Sequence, residues 1–218
     1  MKKIYMVRHG QTYLNKYRRL QGWSDAPLTE SGIAEAHRIG QTFKKIPFDL
    51  VASSDLKRAS DTRKIIVSEN DNWQKVKMVE TPDLREYFFG FFEAIYDTDG
   101  VHQAFGNDKY DRVVDAVADG VSWEEVGDIF HAADPQGDAE PGKVYVDRLR
   151  RGINWLANLD DSKNILLVCH ACSIHCLATL LAKDGQKIPG RLPSHTEMTV
   201  LNVDDDGQVS LEEFGREV

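Results

Sequence analysis

The sequence has only three cysteines, no long apolar run and fewer basic than acidic residues. Its 27 lysines and arginines against 35 aspartates and glutamates give a formal net charge of −8. That balance argues against a general nucleic-acid-binding surface or an anionic membrane surface. The first apolar run, residues 4–7, is far shorter than the ~7–15 residues of a secretory signal or the ~20 of a membrane span. We therefore expect no nucleic acid and no membrane among the partners.

The three cysteines, Cys169, Cys172 and Cys176, lie within eight residues of one another. A disulfide framework spreads cysteines along a chain, so this spacing favours reduced thiols and a cytoplasmic protein. With His170 and His175 the cluster also suggests a metal site, and the three cysteines would share one face of a helix. A structural zinc site normally pairs such a cluster with a second, distant one, which this sequence lacks. We therefore expect buried thiols, no metal site and no cofactor.

Apolar runs rich in strand formers alternate with amphipathic helical segments along the chain. The alternation predicts an α/β fold, a three-layer α/β/α sandwich whose mostly parallel sheet has an antiparallel tail. Residues 91–142 contain short helical pieces at about 109–118 and 123–132, so we expect a helical cap inserted into a single domain of residues 1–218. The predicted strands cover residues 4–7, 48–52, 76–80, 165–168, 197–203 and 208–214.

Two helix starts are marked by residues that favour capping. Thr29 is the expected N-cap of one helix, and residues 53–55 are expected to cap the helix that follows the second strand. Residues 143–158 and 172–182 predict two further helices. The expected buried face of the helix after Thr29 repeats at helical spacing: Ile33, Ala36, Gly40 and Phe43.

Residues 204–207, Asp-Asp-Asp-Gly, join the last two β-rich runs and predict a hairpin turn. The stretch from Asn202 to Glu213 also resembles a calcium-binding EF-hand loop, apart from Asn at its first position. An EF-hand needs flanking helices, whereas residues 196–201 have a strand-like pattern. The hairpin is therefore the prediction.

The first predicted strand ends at Arg8, His9 and Gly10. In open α/β sheets, functional side chains gather where the strands end. An arginine there can bind an anion, the neighbouring histidine can attack it, and a glycine lets the backbone approach a ligand closely. Arg58, in the first turns of its helix, is expected near a helix end whose partial positive charge favours anions. Together they indicate chemistry on an anionic substrate.

Four blocks of the sequence, in this order, resemble the histidine phosphatase (phosphoglycerate mutase-like) superfamily. The resemblance covers the chain except residues 91–142 and departs from the family pattern at two positions. Ala171 follows the last histidine and Ala94 follows Glu93, where the family usually has glycine. The methyl of Ala171 is expected to crowd the phosphate. The blocks are residues 7–32, with Asn15 and the run from Gly22, residues 53–62, residues 84–86 with Gly90 and Glu93, and residues 168–170.

The resemblance implies a phosphomonoesterase that acts on a small-molecule phosphate ester through a phosphohistidine. His9 would attack phosphorus while its other ring nitrogen donates to a backbone carbonyl. Glu86, buried near two phenylalanines, would protonate the leaving oxygen and then activate water. Arg8, Arg58 and a protonated His170 would stabilise the charge on the phosphoryl oxygens, so that no metal ion is needed. The other residues that the resemblance places on the phosphate are Asn15, Gln21, Gly22 and Ala171.

The charge of the cap distinguishes two branches of this superfamily. Residues 91–142 contain two basic residues, Lys109 and Arg112, against thirteen acidic ones. A phosphoglycerate mutase must hold a highly anionic bisphosphate, so this cap better suits the neutral or apolar leaving group of a phosphatase. Arg18 and Arg19 are a further source of positive charge, and mutase activity is the alternative. A non-enzymatic regulatory module on this fold also stays open, as does the oligomeric state, for which a homodimer is one option.

Overall fold

The computed structural model describes residues 2–218. Six strands form one sheet: β1 (Lys2–Arg8), β2 (Leu50–Ser54), β3 (Lys77–Thr81), β4 (Asn164–Cys169), β5 (Glu197–Val203) and β6 (Val209–Glu217). Their order across the sheet is β3-β2-β4-β1-β5-β6. β1 to β4 run parallel, while β5 and β6 are antiparallel additions beside β1. The predicted mostly parallel sheet with an antiparallel tail is confirmed, and β1 lies inside it.

Helices cover both faces of the sheet and complete the predicted α/β/α sandwich. Short 3₁₀ turns at Pro82–Leu84 and Gly90–Phe92 follow β3. The helices are α1 (Tyr13–Lys16), α2 (Glu30–Thr42), α3 (Lys57–Ser68), α4 (Asp97–Phe105), α5 (Val113–Ala118), α6 (Trp123–Ala133), α7 (Gly142–Ala157) and α8 (Ala171–Leu181).

Two hydrophobic cores lie on opposite faces of the sheet, because successive strand residues point to opposite sides. Met6 belongs to the core that contains α7, α8 and the cap helices, whereas the next residue, Val7, belongs to the core under α2 and α3. Leu149 of α7 and Ile66 of α3 are among the fully buried side chains of these cores. Burial of each such aliphatic side chain contributes roughly 1.5–3 kcal/mol to the hydrophobic stabilisation. The sheet is therefore held rigid from both sides.

Helix α2 begins where the sequence predicts, but one predicted core residue is wrong. Thr29 is the N-cap, and its Oγ1 accepts a hydrogen bond from the backbone N–H of Gly32 at 3.0 Å. Ile33 is 40% exposed, because it lies in the first turn beside Leu28, in a surface groove. Ile39 is buried in its place.

The predicted cap of α3 is also wrong. β2 continues through residue 54, and the N-cap of α3 is Leu56, which has no capping side chain. The cap comes instead from the first loop, where Asp25 accepts hydrogen bonds from the backbone N–H groups of Lys57 at 2.5 Å and Arg58 at 3.4 Å. Asp25 and Lys57 are 32 residues apart in the sequence, so this cap has no local sequence signal. This cap fixes the turn of α3 that carries Arg58.

Residues 91–142 contain three helices, of which the sequence patterns predict α5 and α6 but not α4. The start of α4 is polar and contains Gly100, so its helical periodicity is weak. The helix ends at Gly106, whose φ of +66° favours glycine. Val101, Val113 and Phe130 join the core that contains α7 and α8. The cap is thus packed on the body of the protein.

The last two strands form the predicted hairpin rather than an EF-hand. Asp204 N–H donates to the carbonyl of Gln208 at 3.0 Å, and Gly207 has a φ of +78°, as such turns require. Among residues 2–218, no helix is both long enough and apolar enough to cross a membrane.

Candidate active site

His9 lies at the carboxyl end of β1 and is 3% exposed. Its Nδ1 is 2.9 Å from the carbonyl oxygen of Gly10, and its Nε2 accepts a hydrogen bond from Arg58 Nε at 3.2 Å. These partners place the proton on Nδ1 and the lone pair on Nε2. Burial, followed by the charge of Arg58, holds the pKa of His9 well below its ordinary value. The ring is therefore neutral, as the resemblance implies for a nucleophile.

Arg58 is 1% exposed and connects the parts of the site. Besides His9, its Nη2 contacts the carbonyl of Gly22 at 2.6 Å and Nδ1 of His170 at 3.2 Å. Its Nη1 lies 3.3 Å from the carboxylate of Asp25. Burial lowers the pKa of Arg58, while Asp25 raises it. A guanidinium stays protonated even so, and its planar group of donors holds both histidines at once.

His170 follows β4, the parallel neighbour of β1, so the two strand ends bring the two histidine rings within 5.2 Å. Its Nε2 lies 2.7 Å from Ser54 Oγ, and Arg58 donates to its Nδ1. Complete burial, followed by the charge of Arg58, holds the pKa of His170 well below its ordinary value. Nδ1 of His170 therefore faces a donor and carries no proton in this structure, whereas the role expected of His170 on the phosphate requires a protonated ring.

Glu86 is anchored at the start of α8. It is 5% exposed, and its carboxylate accepts hydrogen bonds from the backbone N–H groups of Cys172 at 2.9 Å and Ser173 at 3.1 Å. The partial positive charge of a helix N-terminus favours an anion at this position. Tyr87 N–H adds a third donor at 3.1 Å. Ala171 begins the same helix, so the departure from the family's glycine lies directly beside the site.

A cavity of about 200 Å³ joins the end of β1 to the cap. Gly22, Arg58 and His170 are not among its lining residues. Arg58 contacts His9, which does line the cavity, and Gly22 and His170 both contact Arg58. The predicted site residues that line the cavity are Arg8, His9, Asn15, Gln21, Glu86 and Ala171.

Glu93 belongs to the third block of the resemblance, and in the structure it holds the first loop of the site in place. The sequence does not predict this role. Its carboxylate accepts hydrogen bonds from the backbone N–H groups of Gly22 at 3.1 Å, Trp23 at 2.9 Å and Ser24 at 3.0 Å. A Cβ on Gly22 would lie 2.1 Å from a backbone oxygen, so only glycine fits. Ala94, next to Glu93, has a φ of +62°, the left-handed region that favours glycine.

The mouth of the cavity is more cationic than the composition of the cap suggests. Arg112 of the cap lines it together with Arg18 and Arg19 of the first loop. Asp97 is the cap's acidic residue in this lining, and it lies 3.5 Å from Arg18 Nη2. Arg112 pairs with Asp115 at 2.8 Å. The acidic residues of residues 91–142 other than Asp97 do not line the cavity, because the folded cap turns them elsewhere.

The cysteines do not share a helix face. Cys169 ends β4, whereas Cys172 and Cys176 lie on α8. All three thiols are free and buried, and burial raises the pKa of each. Across residues 2–218, no group of three or more histidine, cysteine, aspartate or glutamate side chains is arranged to hold a metal ion.

A larger groove of about 650 Å³ lies at the start of α3, between Asp25, Ile33 and Lys57. It shares Arg58 with the site but is not lined by His9 or Glu86. The smaller cavity, which His9 and Glu86 line, is therefore the candidate site.

The chain has relatives among known proteins. The profile of the histidine phosphatase superfamily, branch 1, matches residues 4–214. The chain belongs to this superfamily.

The chain is similar in sequence to proteins described as mutases and shares its fold with a protein described as a phosphatase. The chain is 32% identical over 203 residues to the probable phosphoglycerate mutase GpmB of Yersinia pestis, covering 90% of this chain and 79% of that protein. The crystal structure of phosphoglycerate mutase from Bacillus anthracis is 31% identical, with a TM-score of 0.84 over 99% of this chain and 93% of that one. The mycobacterial glucosyl-3-phosphoglycerate phosphatase Rv2419c shares the fold at 22% identity, with a TM-score of 0.71 and all of both chains covered.

Proposed function

We propose that the protein is a phosphomonoesterase that hydrolyses a small-molecule phosphate ester through a phosphohistidine on His9. The observation that carries the proposal is the state of His9. Its proton is held on Nδ1 by the carbonyl of Gly10, and its lone pair on Nε2 meets the guanidinium of Arg58. A neutral, fixed imidazole beside a cation is what attack on a phosphate dianion requires.

In the first step, the lone pair of His9 Nε2 forms a bond to phosphorus as the bond from phosphorus to the ester oxygen breaks. Glu86 must be protonated for this step, against the preference of the helix N-terminus for the anion, and it gives its proton to that oxygen, which leaves as an alcohol. Arg8 and Arg58 stabilise the negative charge on the transferred phosphoryl group. The proton on His9 Nδ1 stays on the ring and is stabilised by the carbonyl of Gly10 as the ring gains positive charge.

In the second step, a water molecule attacks the phosphohistidine, and Glu86 takes up the proton that the water loses. The bond from phosphorus to Nε2 breaks and its electron pair returns to His9, which regenerates the neutral ring and releases inorganic phosphate. The wall of the cavity holds His9 and Glu86 together, so one carboxyl group can serve both steps.

We further propose that the reaction needs no metal ion, because Arg8 and Arg58 supply the charge stabilisation that magnesium supplies in other phosphoryl transfers. With His170 neutral, these two guanidinium groups carry that role. Exhaustive chelation should leave the rate unchanged. A loss that zinc restores would instead implicate the cysteine and histidine cluster. The buried free thiols support a cytoplasmic location, where thiols remain reduced.

Phosphoglycerate mutase activity is the second candidate, and the cavity mouth is the observation that favours it. Arg18, Arg19 and Arg112 offer positive charge to an acidic alcohol portion of a substrate, and two relatives at 31–32% identity are described as mutases. Arg18 and Arg112 are, however, paired with Asp97 and Asp115. Part of their charge is already neutralised, so hydrolysis remains the lead.

A screen of phosphate monoesters with purified protein tests the proposal, with p-nitrophenyl phosphate as the general substrate. Release of inorganic phosphate supports a phosphatase, whereas conversion of 3-phosphoglycerate that depends on its bisphosphate primer supports a mutase. No turnover of either would favour a regulatory module. Arg112→Gln should raise KM only for substrates whose alcohol portion is acidic. Lys109→Gln is the matched control, because Lys109 is the cap's other basic residue and does not line the cavity.

A further inference from the structure

The loop before β5 contacts Arg8, the last residue of β1, and His9, which follows it. The carbonyl of Pro193 accepts a hydrogen bond from Arg8 Nη1 at 3.3 Å. Two residues later, Nδ1 of His195 lies 2.6 Å from the carbonyl oxygen of His9. The rings of His9 and His195 are 5.9 Å apart in an edge-to-face arrangement. One loop thus contacts the Arg8-His9 pair from 186 residues away in the sequence.

His195 has a single defined role in this contact. A carbonyl oxygen can only accept a hydrogen bond, so Nδ1 of His195 carries the proton and donates it. Burial, followed by the charge of Arg8, lowers the pKa of His195 to about 3. The ring is neutral at ordinary pH, and the contact is an ordinary hydrogen bond rather than an ion pair. His195 is not among the residues that line the cavity, and the contact that it makes with the site is this hydrogen bond to the backbone of His9.

The peptide between His9 and Gly10 is held at both of its polar atoms. His195 binds its carbonyl oxygen, and Thr62 Oγ1 accepts from the N–H of Gly10 at 3.0 Å. The next carbonyl, that of Gly10, is the group that binds His9 Nδ1. The orientation of this first peptide therefore determines where the second carbonyl lies, and with it the tautomer and direction of the His9 ring.

The loop that carries His195 is itself fixed. Glu197, at the start of β5, is 7% exposed. Its Oε2 accepts hydrogen bonds from the backbone N–H of Ser194 at 2.9 Å and from Arg191 Nη1 at 2.7 Å. This anchoring lets His195 act as a rigid support for the turn at Gly10.

We propose that His195 is a positioning residue for the nucleophile: through the carbonyl of His9 it holds the turn that keeps Nδ1–H of His9 on Gly10 and aims Nε2 at phosphorus. This inference rests on the proposed function of His9. It predicts that loss of the His195 donor slows phosphorylation of His9, because the His9 ring is then free to shift. A displacement of about 1 Å can cost on the order of 10²-fold in rate.

Substitution of His195 by asparagine or glutamine tests which of its two ring nitrogens is needed. The side-chain amide of asparagine can present its N–H at the distance of Nδ1, whereas glutamine extends to the distance of Nε2. His195→Ala and His195→Gln should therefore lower the burst rate with p-nitrophenyl phosphate by roughly 10- to 100-fold, with little change in KM. His195→Asn should recover most of that rate.

His131 provides a matched control. It is also half-buried, and its Nδ1 also lies 2.6 Å from a backbone carbonyl, that of Ala139 in the cap. His131→Ala removes the same kind of hydrogen bond away from His9, so it should lower the melting temperature about as much as His195→Ala while leaving the burst rate unchanged. Equal burst rates in His195→Ala and the wild type, or a recovery with glutamine equal to that with asparagine, would overturn the inference.

The nitrogen chemical shifts of the His9 ring give a readout that does not depend on activity. The wild type should show one tautomer with the proton on Nδ1, and His195→Ala a mixture of tautomers, while His131→Ala keeps the single form. A single tautomer in His195→Ala would contradict the positioning role even if the protein proved inactive. Failure of the wild type to form a phosphoenzyme would count instead against the proposed function.

Discussion

Arg58 donates from Nε to Nε2 of His9 at 3.2 Å, so the nitrogen proposed to attack phosphorus is in contact with the cation proposed to stabilise the product. The same guanidinium binds the carbonyl of Gly22 and the ring of His170. Three parts of the chain that are distant in sequence converge on one side chain. The geometry of the candidate site therefore depends on the shape of this group as well as on its charge.

Replacement of Arg58 by lysine should show this dependence. A lysine keeps the positive charge but cannot contact His9, Gly22 and His170 together, so we expect kcat to fall by on the order of 10²–10³-fold. Arg63→Lys is the control, because Arg63 lies on the same helix, is also buried and binds Val79 and Glu80 outside the cavity. Comparable losses of activity in both variants would show that burial of an arginine on α3, rather than the contact with His9, is what matters.

Glu86→Gln should affect substrates according to their leaving groups. An alkyl phosphate, whose alkoxide needs a proton, should lose ~10²–10⁴-fold in the phosphorylation step. An aryl ester such as p-nitrophenyl phosphate leaves as a stable anion, so its burst should remain fast while later turnover becomes slow.

The control for Glu86→Gln is Glu93→Gln. Both carboxylates accept several backbone N–H groups, and an amide cannot accept them all, so each variant should lose ~1–3 kcal/mol of stability. Only the Glu86 variant should lose more burst rate with an alkyl ester than with an aryl ester. Burst kinetics with both ester types measure the difference, and equal burst losses for the two esters would exclude Glu86 as the acid.

Ala94→Gly should stabilise the protein. A left-handed conformation costs an alanine about 1–2 kcal/mol, and Ala94 has a φ of +62°. Glycine removes that cost but gains ~0.4–1 kcal/mol of unfolded-state freedom, which leaves a net stabilisation of roughly 0–1.6 kcal/mol. Ala34→Gly, at an exposed position of α2, should instead cost about 1 kcal/mol. Chemical denaturation measures both, and a destabilised Ala94→Gly would mean that its methyl makes contacts worth more than the strain.

Stability should fall as the pH drops below the ordinary histidine pKa of ~6.5. The folded-state pKa values of His9, His170 and His195 are all lowered. The unfolded chain therefore binds protons below pH ~6.5 that the folded chain does not. Their contribution is fully present above that pH and declines toward the folded pKa, about 3 for His195, by up to ~1.4 kcal/mol per pH unit for each histidine.

Denaturation between pH 7 and pH 5 tests this slope before most carboxylates titrate. His195→Asn keeps the proposed hydrogen bond but removes one titrating ring, so its slope should be shallower by up to ~1.4 kcal/mol per pH unit. A wild-type stability that stays flat across this range would contradict the assignment of neutral, buried histidines.

The sequence predicts the parts of the fold whose signals are local. Continuous apolar runs locate the buried strands, and the capping preference of Thr29 locates the start of α2. The cap of α3 is not predictable in this way, because Asp25 reaches it from another loop. Helix α4 escapes prediction because its first turn is polar and contains Gly100. Helical spacing alone predicts Ile33 in the core, because spacing does not show which residues of a helix are covered by the rest of the protein.

The residues of the candidate site also differ in whether they have a local sequence signal. Arg8 and His9 follow a buried strand, so the pattern of the chain and the resemblance both indicate them. His195 has no such signal: it lies 186 residues from His9 and acts through a backbone oxygen. The burial of His170 beside Arg58 has no local signal either, because composition does not reveal burial. The number of cations in the cap likewise does not show that Arg112 lines the cavity.

Chemical trapping of the phosphoenzyme tests the central claim most directly. Protein mixed with a labelled phosphate monoester and quenched in the steady state should carry phosphate whose bond is labile in acid and stable in base, and peptide mapping should place it on His9. The label should be absent from His9→Ala, although that variant keeps Arg58 and Glu86. Label that persists in His9→Ala, or that maps to another residue of the wild type, would contradict the account.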